Sequence, residues 1–308
     1  MQFLNPKTDF AFKKVFGSPQ SKPILKSFLE ALLYDEQQII DDLDIIDPYQ
    51  ASRLKGFKDT YLDVKAKLSD GTVVIIEMQV LHVENFEKRV LYNTAKAYSL
   101  QLGKGEDYQK LFPVVALTIT DFLMFPEFEK AVSRFVLRER AALTNFCADE
   151  FELVFAELPK LKTPLEKLET LTEKWLYFLK YARKLEIVPE QLAEVDALSQ
   201  AFDAVNRSNF SPAELEDQEK REMYIWDQRN ALIRAQRVGR EQGLEQGLEQ
   251  GLEQGLAKGE AIGIQKGERQ KSLAIAARLL GVLDVATISE TTGLTIAEIK
   301  QLAEASTQ

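Results

Sequence analysis

A carboxylate and an amide stand in the middle of an otherwise apolar run, VVIIEMQV at residues 73–80. No other feature of this chain restricts its fold so tightly. Burying either group without a partner costs roughly several kcal/mol, so Glu77 and Gln79 must meet partners or help to hold an ion. A second strand-like run precedes this one, and Ser69-Asp70-Gly71 between them is a hairpin signal. Side chains alternate along a strand. The first run therefore puts Leu62, Val64, Ala66 and Leu68 on one face and Tyr61, Asp63, Lys65 and Lys67 on the other. The second puts Val74, Ile76, Met78 and Val80 on one face and Val73, Ile75, Glu77 and Gln79 opposite. Across such a hairpin Asp63 comes close enough to Glu77 to share one cation.

The rest of the composition narrows the kind of ion. Cys147 is the only cysteine and His82 the only histidine, which excludes a disulfide framework and any Cys- or His-rich zinc site. Any metal here is expected to be a hard cation held by carboxylates. The chain has 308 residues and is 45% hydrophobic, enough for a sizeable core. Its net charge of −9 argues weakly against nucleic acid as a partner, because phosphate binding usually leaves a basic footprint. The acidity is uneven, however. Residues 1–110 carry a net charge of −1 and the remainder −8, so a local basic groove is compatible with the front of the chain. No apolar run approaches the ~20 residues of a membrane helix. The opening MQFLNPKTDFAFKKVF lacks the long apolar stretch and small-residue cleavage site of a secretory signal. A cytoplasmic protein without a membrane partner is expected.

Along the chain, residues 5–16 read as a helix with Asn5 as N-cap, Pro6 in its first turn and Gly17 at its end. A second helix starts near Ser21 and carries Ile24, Leu25, Phe28, Leu29, Leu32 and Leu33 as an apolar stripe. Residues 36–47 read as an edge strand or a loop. Residues 84–102 read as a helix with Phe86, Val90 and Ala97 on its apolar side and Asn85, Arg89, Tyr92 and Lys96 as a polar stripe. Residues 112–119 form a buried strand, and 133–140 and 150–157 add two more. This order predicts an α/β mixed sheet flanked by helices. From Thr163 to about Arg237 the pattern turns helical, with Leu165, Leu168, Leu171, Trp175, Leu176 and Leu179 as core; Trp226 also reads as a packing residue.

The hairpin with its Asp63 and Glu77-Met78-Gln79 resembles the PD-(D/E)xK nuclease superfamily, with glutamine in place of the usual lysine. More closely, NPKTDFAFKKVFG, LDVKAKLSDGTVVIIEMQV, KRVLYNTAKAYSLQLGKGEDY and FAELPKL resemble the Rpn family of recombination-promoting nucleases and transposases, over about residues 1–160. The resemblance implies a restriction-endonuclease-like fold followed by a helical C-terminal region. It implies a metal-dependent endonuclease acting on double-stranded DNA, with Asp63, Glu77 and the Met78 carbonyl holding Mg2+. Gln79 would orient water or phosphate, with Lys65 compensating for the missing lysine. Arg89, Tyr92 and Lys96 would hold the DNA backbone, and Asp9 and Glu30 are outer acids. Two other readings are open: a catalytically decayed nuclease fold that binds DNA or protein as an oligomeric module, and a defence nuclease.

Behind this domain glycine recurs at every fourth position from Gly239 to Gly267, with Leu244, Leu248, Leu252 and Leu256 tracking it. Each glycine inside a helix costs about 0.8–1 kcal/mol relative to alanine. A period of four drifts about 40° per repeat around a helix. The segment reads as a closely packed helix, a flexible linker or, least well, a phosphate cradle. The tail holds three Lys or Arg against four Asp or Glu over 271–308, which suits self-association better than reading DNA. We therefore divide the chain into a nuclease-like domain (1–160), a helical region (161–238), a glycine-repeat helix or linker (239–270) and a small helical tail (271–308) that makes a homo-oligomer.

Overall fold

The computed structural model describes residues 2–50, 60–147 and 150–305. The first two residues of the run 58–80 and the last three of the tail lie outside them. The chain forms two compact units, Met1–Asn230 and Ala231–Gln308.

The first unit opens with α1 (Asp9–Phe16) and α2 (Lys22–Leu33). The helix expected from residue 5 begins later because Asn5 is used differently. Its side chain accepts from the Lys7 N–H (3.2 Å), tightening a turn that Thr8 then closes as the N-cap of α1. Gly17 ends α1 as expected. The segment 36–47 resolves into an edge strand, β1 (Leu43–Ile46). After β2 (Tyr49–Gln50) and β3 (Thr60–Tyr61), which pair with each other, come the hairpin strands β4 (Val64–Leu68) and β5 (Val73–Gln79). Gly71 turns the hairpin at φ +96°, where a Cβ would also meet the Phe112 ring at 2.1 Å. The crossover helix α3 (Phe86–Ser99) leads to β6 (Val114–Thr120), and β7 (Val132–Val136) and β8 (Phe151–Glu157) complete the sheet.

The six strands lie in the order β1-β4-β5-β6-β8-β7. β5, β6 and β8 run parallel, and the outer pairings are antiparallel. Every residue of β6 is buried, as expected of a strand covered on both faces. Val74, Ile76, Met78, Leu117 and Val154 face one core with Phe12, Phe16, Phe28 and Trp175; Val73, Ile75, Val114 and Phe155 face the other with Phe86, Val90 and Ala97 of α3.

The boundary drawn at 160 is not a boundary in packing. Helices α4 (Leu171–Tyr181), α5 (Glu190–Ala193) and α6 (Asp196–Ala204) bury Trp175, Phe178, Leu192, Leu198 and Phe202 in the same core as α1, α2 and the sheet. An apolar stripe on α2 is wide enough to serve both the sheet and these later helices, so no polar seam separates them. Trp226, read as a packing residue, is 66% exposed.

The glycine repeat is helical, within α7 (Pro212–Leu279). In the second unit α7 ends before a turn at Gly281, and α8 (Val285–Thr292), capped by Asp284 and Gly293, packs with α9 (Ile296–Ala305) around Ala276, Ile288, Leu294 and Ile299. Nothing lies within 4 Å of a Cβ built at any of the repeat glycines, and Leu244, Leu248, Leu252 and Leu256 are exposed. Gly247→Ala and Gly251→Ala are therefore expected to stabilise this stretch by about 0.8–1 kcal/mol each. Hydrogen exchange of its backbone amides checks this; weaker protection in the variants would show that the glycines are needed for close packing.

Candidate active site

The site starts from a break in a strand. The β4–β5 ladder ends at Val64 opposite Ile76. One residue earlier the alternation fails, and Leu62, expected on the face of Val64, packs in the α3-side core instead. Between them Asp63 bends toward β5 and its Oδ2 accepts the Met78 N–H at 2.7 Å. A buried strand N–H needs an acceptor; here a carboxylate takes the place of the carbonyl the broken strand no longer offers.

Glu77 and Gln79 lie on the α3 face of β5. Asn93 Nδ2 donates to Glu77 Oε1 (2.6 Å), and Arg89 Nη2 lies 3.6 Å from Glu77 Oε2. The same Arg89 nitrogen donates to Gln79 Oε1 at 2.6 Å, while Gln79 Nε2 donates to the Leu81 carbonyl at 2.7 Å. The guanidinium carbon sits 5.0 Å from the centroid of the Phe86 ring, close enough for a cation–π contact. Asn93 is a site residue that the sequence reading passed over. Its signal was present: with Phe86, Val90 and Ala97 it completes the buried stripe of α3, so it is a polar residue at a core position facing a glutamate in a core strand.

These side chains line a hollow of about 300 Å³ with Thr60, Tyr61, Met78 and Tyr92. Burial pushes the Asp63 carboxyl up to about 7; the Met78 N–H opposes this, the charges of Asp9 and Glu77 add to it, and Lys13 opposes it. Burial also raises Glu77, against the pull of Arg89 and Asn93. Two carboxyls whose ionisation is opposed by burial, with the charge of Glu77 adding to the effect at Asp63, fit a divalent cation, which would relieve both. Among the described residues no group of three or more His, Cys, Asp or Glu is placed to hold a metal. The carboxylates that line the hollow are those of Asp63 and Glu77, and oxygen donors of this kind suit a hard ion that also takes water and phosphate.

The other candidates are placed elsewhere. Lys65 does not reach the hollow. It pairs across the ladder with Ile75 and lines a different depression with Lys67, Lys110 and Phe112. It shares a strand face with Glu77 but sits nearer the hairpin end. Lys96 Nζ donates to the Gln50 carbonyl (2.7 Å), one helical turn beyond Tyr92, and Lys96 is not among the described residues that line the hollow. Asp9 pairs with Lys13 (2.7 Å) and Arg221 (3.6 Å); it is near enough to act on Asp63 electrostatically but does not line the hollow. Glu30 is buried in α2, its Oε1 without a hydrogen-bond partner among the described residues, on the helix that packs against the opposite core, and it does not line the hollow.

A mixed sheet with helices on both faces, with Glu77 near the end of the central strand β5 and Asp63 beside it, is consistent with a restriction-endonuclease-like fold. The model of the PD-(D/E)XK nuclease family transposases matches residues 6–235, and the chain belongs to that family. No curated protein and no solved structure matches it. The matched segment runs beyond residue 160 through α4–α6 into α7, in keeping with their shared core.

A carboxyl whose pKa is raised on folding keeps its proton in the folded protein after the unfolded chain has released it. From the ordinary carboxylate range up to about 7, Asp63 therefore makes the fold less stable as pH rises, and the loss is complete above that. Without divalent cations, Asp63→Asn, which keeps an acceptor for the Met78 N–H, is expected to raise the Tm at pH 8 by about a few degrees and to change it little at pH 4. Thermal melts in chelator at the two pH values check this; an equal or lower Tm for the variant at pH 8 contradicts it.

Proposed function

We propose that this protein is a Mg2+-dependent endonuclease that hydrolyses phosphodiester bonds in double-stranded DNA, with Mn2+ as an alternative ion. The observation that carries the reading is the convergence of Asp63 and Glu77, two desolvated acids with raised pKa values, in one hollow of a nuclease-family fold. Asp63, Glu77 and the Met78 carbonyl are the groups that would hold the cation. When bound, the ion supplies Lewis acidity to an attacking water and positive charge to the scissile phosphate.

The protein's own groups prepare this arrangement. The Met78 N–H fixes the Asp63 carboxylate, and Asn93 fixes that of Glu77. Donors held in place before the substrate arrives cost no reorganisation during reaction. Arg89 and Tyr92 line the hollow beside these acids and would face the phosphodiester, with Gln79 next to Arg89. Lys96 extends the backbone contact along α3. We place the reaction in recombination or transposition-like events in the cytoplasm, in a homo-oligomer assembled through the C-terminal region. No helix among the described residues is long and apolar enough to cross a membrane.

Purified protein with supercoiled plasmid tests this. Wild type is expected to nick or linearise DNA in Mg2+ and not in chelator, and Asp63→Ala to reduce the rate by about 100-fold or more. Cleavage that persists in chelator or in Asp63→Ala contradicts the reading. DNA binding without cleavage in any metal favours the decayed-nuclease alternative, which the glutamine at position 79 motivates.

A further inference from the structure

Gln79 stands where the family pattern has a catalytic lysine, yet its amide has little left to offer a substrate. Nε2 is spent on the Leu81 carbonyl, and Oε1 accepts from Arg89 at 2.6 Å. An amide carries no charge and takes no proton at neutral pH. What the side chain does is hold a guanidinium at its tip. The charge that a lysine would carry at the end of this strand position is thus delivered from the neighbouring helix.

Three observations converge on Arg89. It is the only cationic side chain among the described residues that line the hollow with Asp63 and Glu77. Its Nη2 spans Gln79 Oε1 and Glu77 Oε2, at 2.6 and 3.6 Å, so the guanidinium is tied to both strand residues of the motif. Its side chain is 43% exposed, and among the described residues Nε and Nη1 have no hydrogen-bond partner. Phe86 supports the guanidinium carbon from 5.0 Å. Arginine presents several donors in a rigid plane that matches two phosphate oxygens at once.

We propose that Arg89 is the cationic catalytic residue of this site, gripping the scissile phosphodiester through Nε and Nη1, and that Gln79 is a positioning residue that holds it there. This rests on the nuclease reading above. A guanidinium does not give up its proton in a protein, so Arg89 acts by charge and hydrogen bonding and is not the base. Glu77 gains a counter-charge from the same group. A purely structural ion pair with Glu77 is the competing explanation.

The test uses the full-length protein, with cleavage read in Mg2+ and duplex binding read by anisotropy in Ca2+ across a salt series. Arg89→Ala is expected to lower kcat by about 100-fold or more and to reduce the slope of log affinity against log salt by about one, the signature of one lost phosphate contact. Mn2+ binding, followed by electron paramagnetic resonance, is expected to persist. Adding Gln79→Lys to Arg89→Ala returns the charge to the strand and is expected to recover cleavage at least about 10-fold, with the salt slope restored. Gln79→Ala, which frees the guanidinium without removing it, is expected to cost less than Arg89→Ala. Should Arg89→Ala fail to fold by circular dichroism, Arg89→Met replaces it.

A wild type that cleaves while Arg89→Ala cleaves equally well, with an unchanged salt slope, overturns this inference and leaves the nuclease reading standing. A folded double variant no better than Arg89→Ala also overturns it. A wild type that neither cleaves nor binds DNA overturns both.

Discussion

The hydrogen bond from the Met78 N–H to Asp63 Oδ2 (2.7 Å) is where sheet geometry and chemistry meet. A regular hairpin would have continued past Val64 and Ile76, leaving Asp63 on a strand face directed away from the Met78 backbone. The strand breaks instead, Leu62 crosses to the α3-side core, and the carboxylate completes the ladder. Asp63 and Glu77 line one hollow, and burial opposes the ionisation of both carboxyls unless a cation relieves it. Its cost must be offset elsewhere.

The offset comes from packing on both faces of the sheet. On one face Phe16, Phe28, Trp175 and Phe178 form a run of ring contacts with centroids 4.5–5.9 Å apart, linking α1 and α2 to α4. Each such ring, fully buried, contributes about 1.5–3 kcal/mol. On the other face α3 buries Phe86, Val90 and Ala97 against β5 and β6. This burial fixes the rotation of α3 about its axis, and that rotation turns Arg89, Tyr92 and Asn93 toward the acids. A helix that supplies core on one side and site residues on the next turns packing precision into active-site precision.

The opening motif Asn5-Pro6-Lys7-Thr8-Asp9 also finds its physical role here. Lys7 Nζ reaches Asp121 Oδ2 (2.9 Å), where Arg229 of α7 also binds (2.8 Å). The Asp121 N–H in turn donates to the carbonyl of Gln79 (3.0 Å). Gln218 of α7 donates to the hydroxyl of Thr8 (2.7 Å). The two ends of the first unit are thus pinned beside the end of β5, and the segment that completes the nuclease-family match includes the first turns of α7. A truncation at residue 160 would remove half of this arrangement together with Trp175 and Phe178.

Much of this was legible in the chain itself. Period-two alternation and the Asp70-Gly71 turn identified the hairpin, and period-3.6 stripes identified α2, α3 and the later helices. These are local patterns, set by backbone geometry and by which side chains avoid water. Glu77 and Gln79 were conspicuous because polar groups inside an apolar strand need a reason. The misplaced elements are equally instructive. Lys65 shares a strand face with Glu77, but alternation does not say how far along the face the hollow lies. Glu30 is an acid on a helix ahead of the sheet, as the resemblance calls for, yet that helix packs on the opposite core. Asn93 stands in the buried stripe of α3, but the helix alone does not say that a glutamate of β5 faces it. The sequence by itself determined most of the elements, the fold class and the family. Only the tertiary structure decided that Asp63 leaves its strand to cap Met78, that α4–α6 share the first core, and that Gln79 meets Arg89. Those pairings join residues distant in the chain or on different elements, and backbone periodicity carries no information about which faces of separate elements come together.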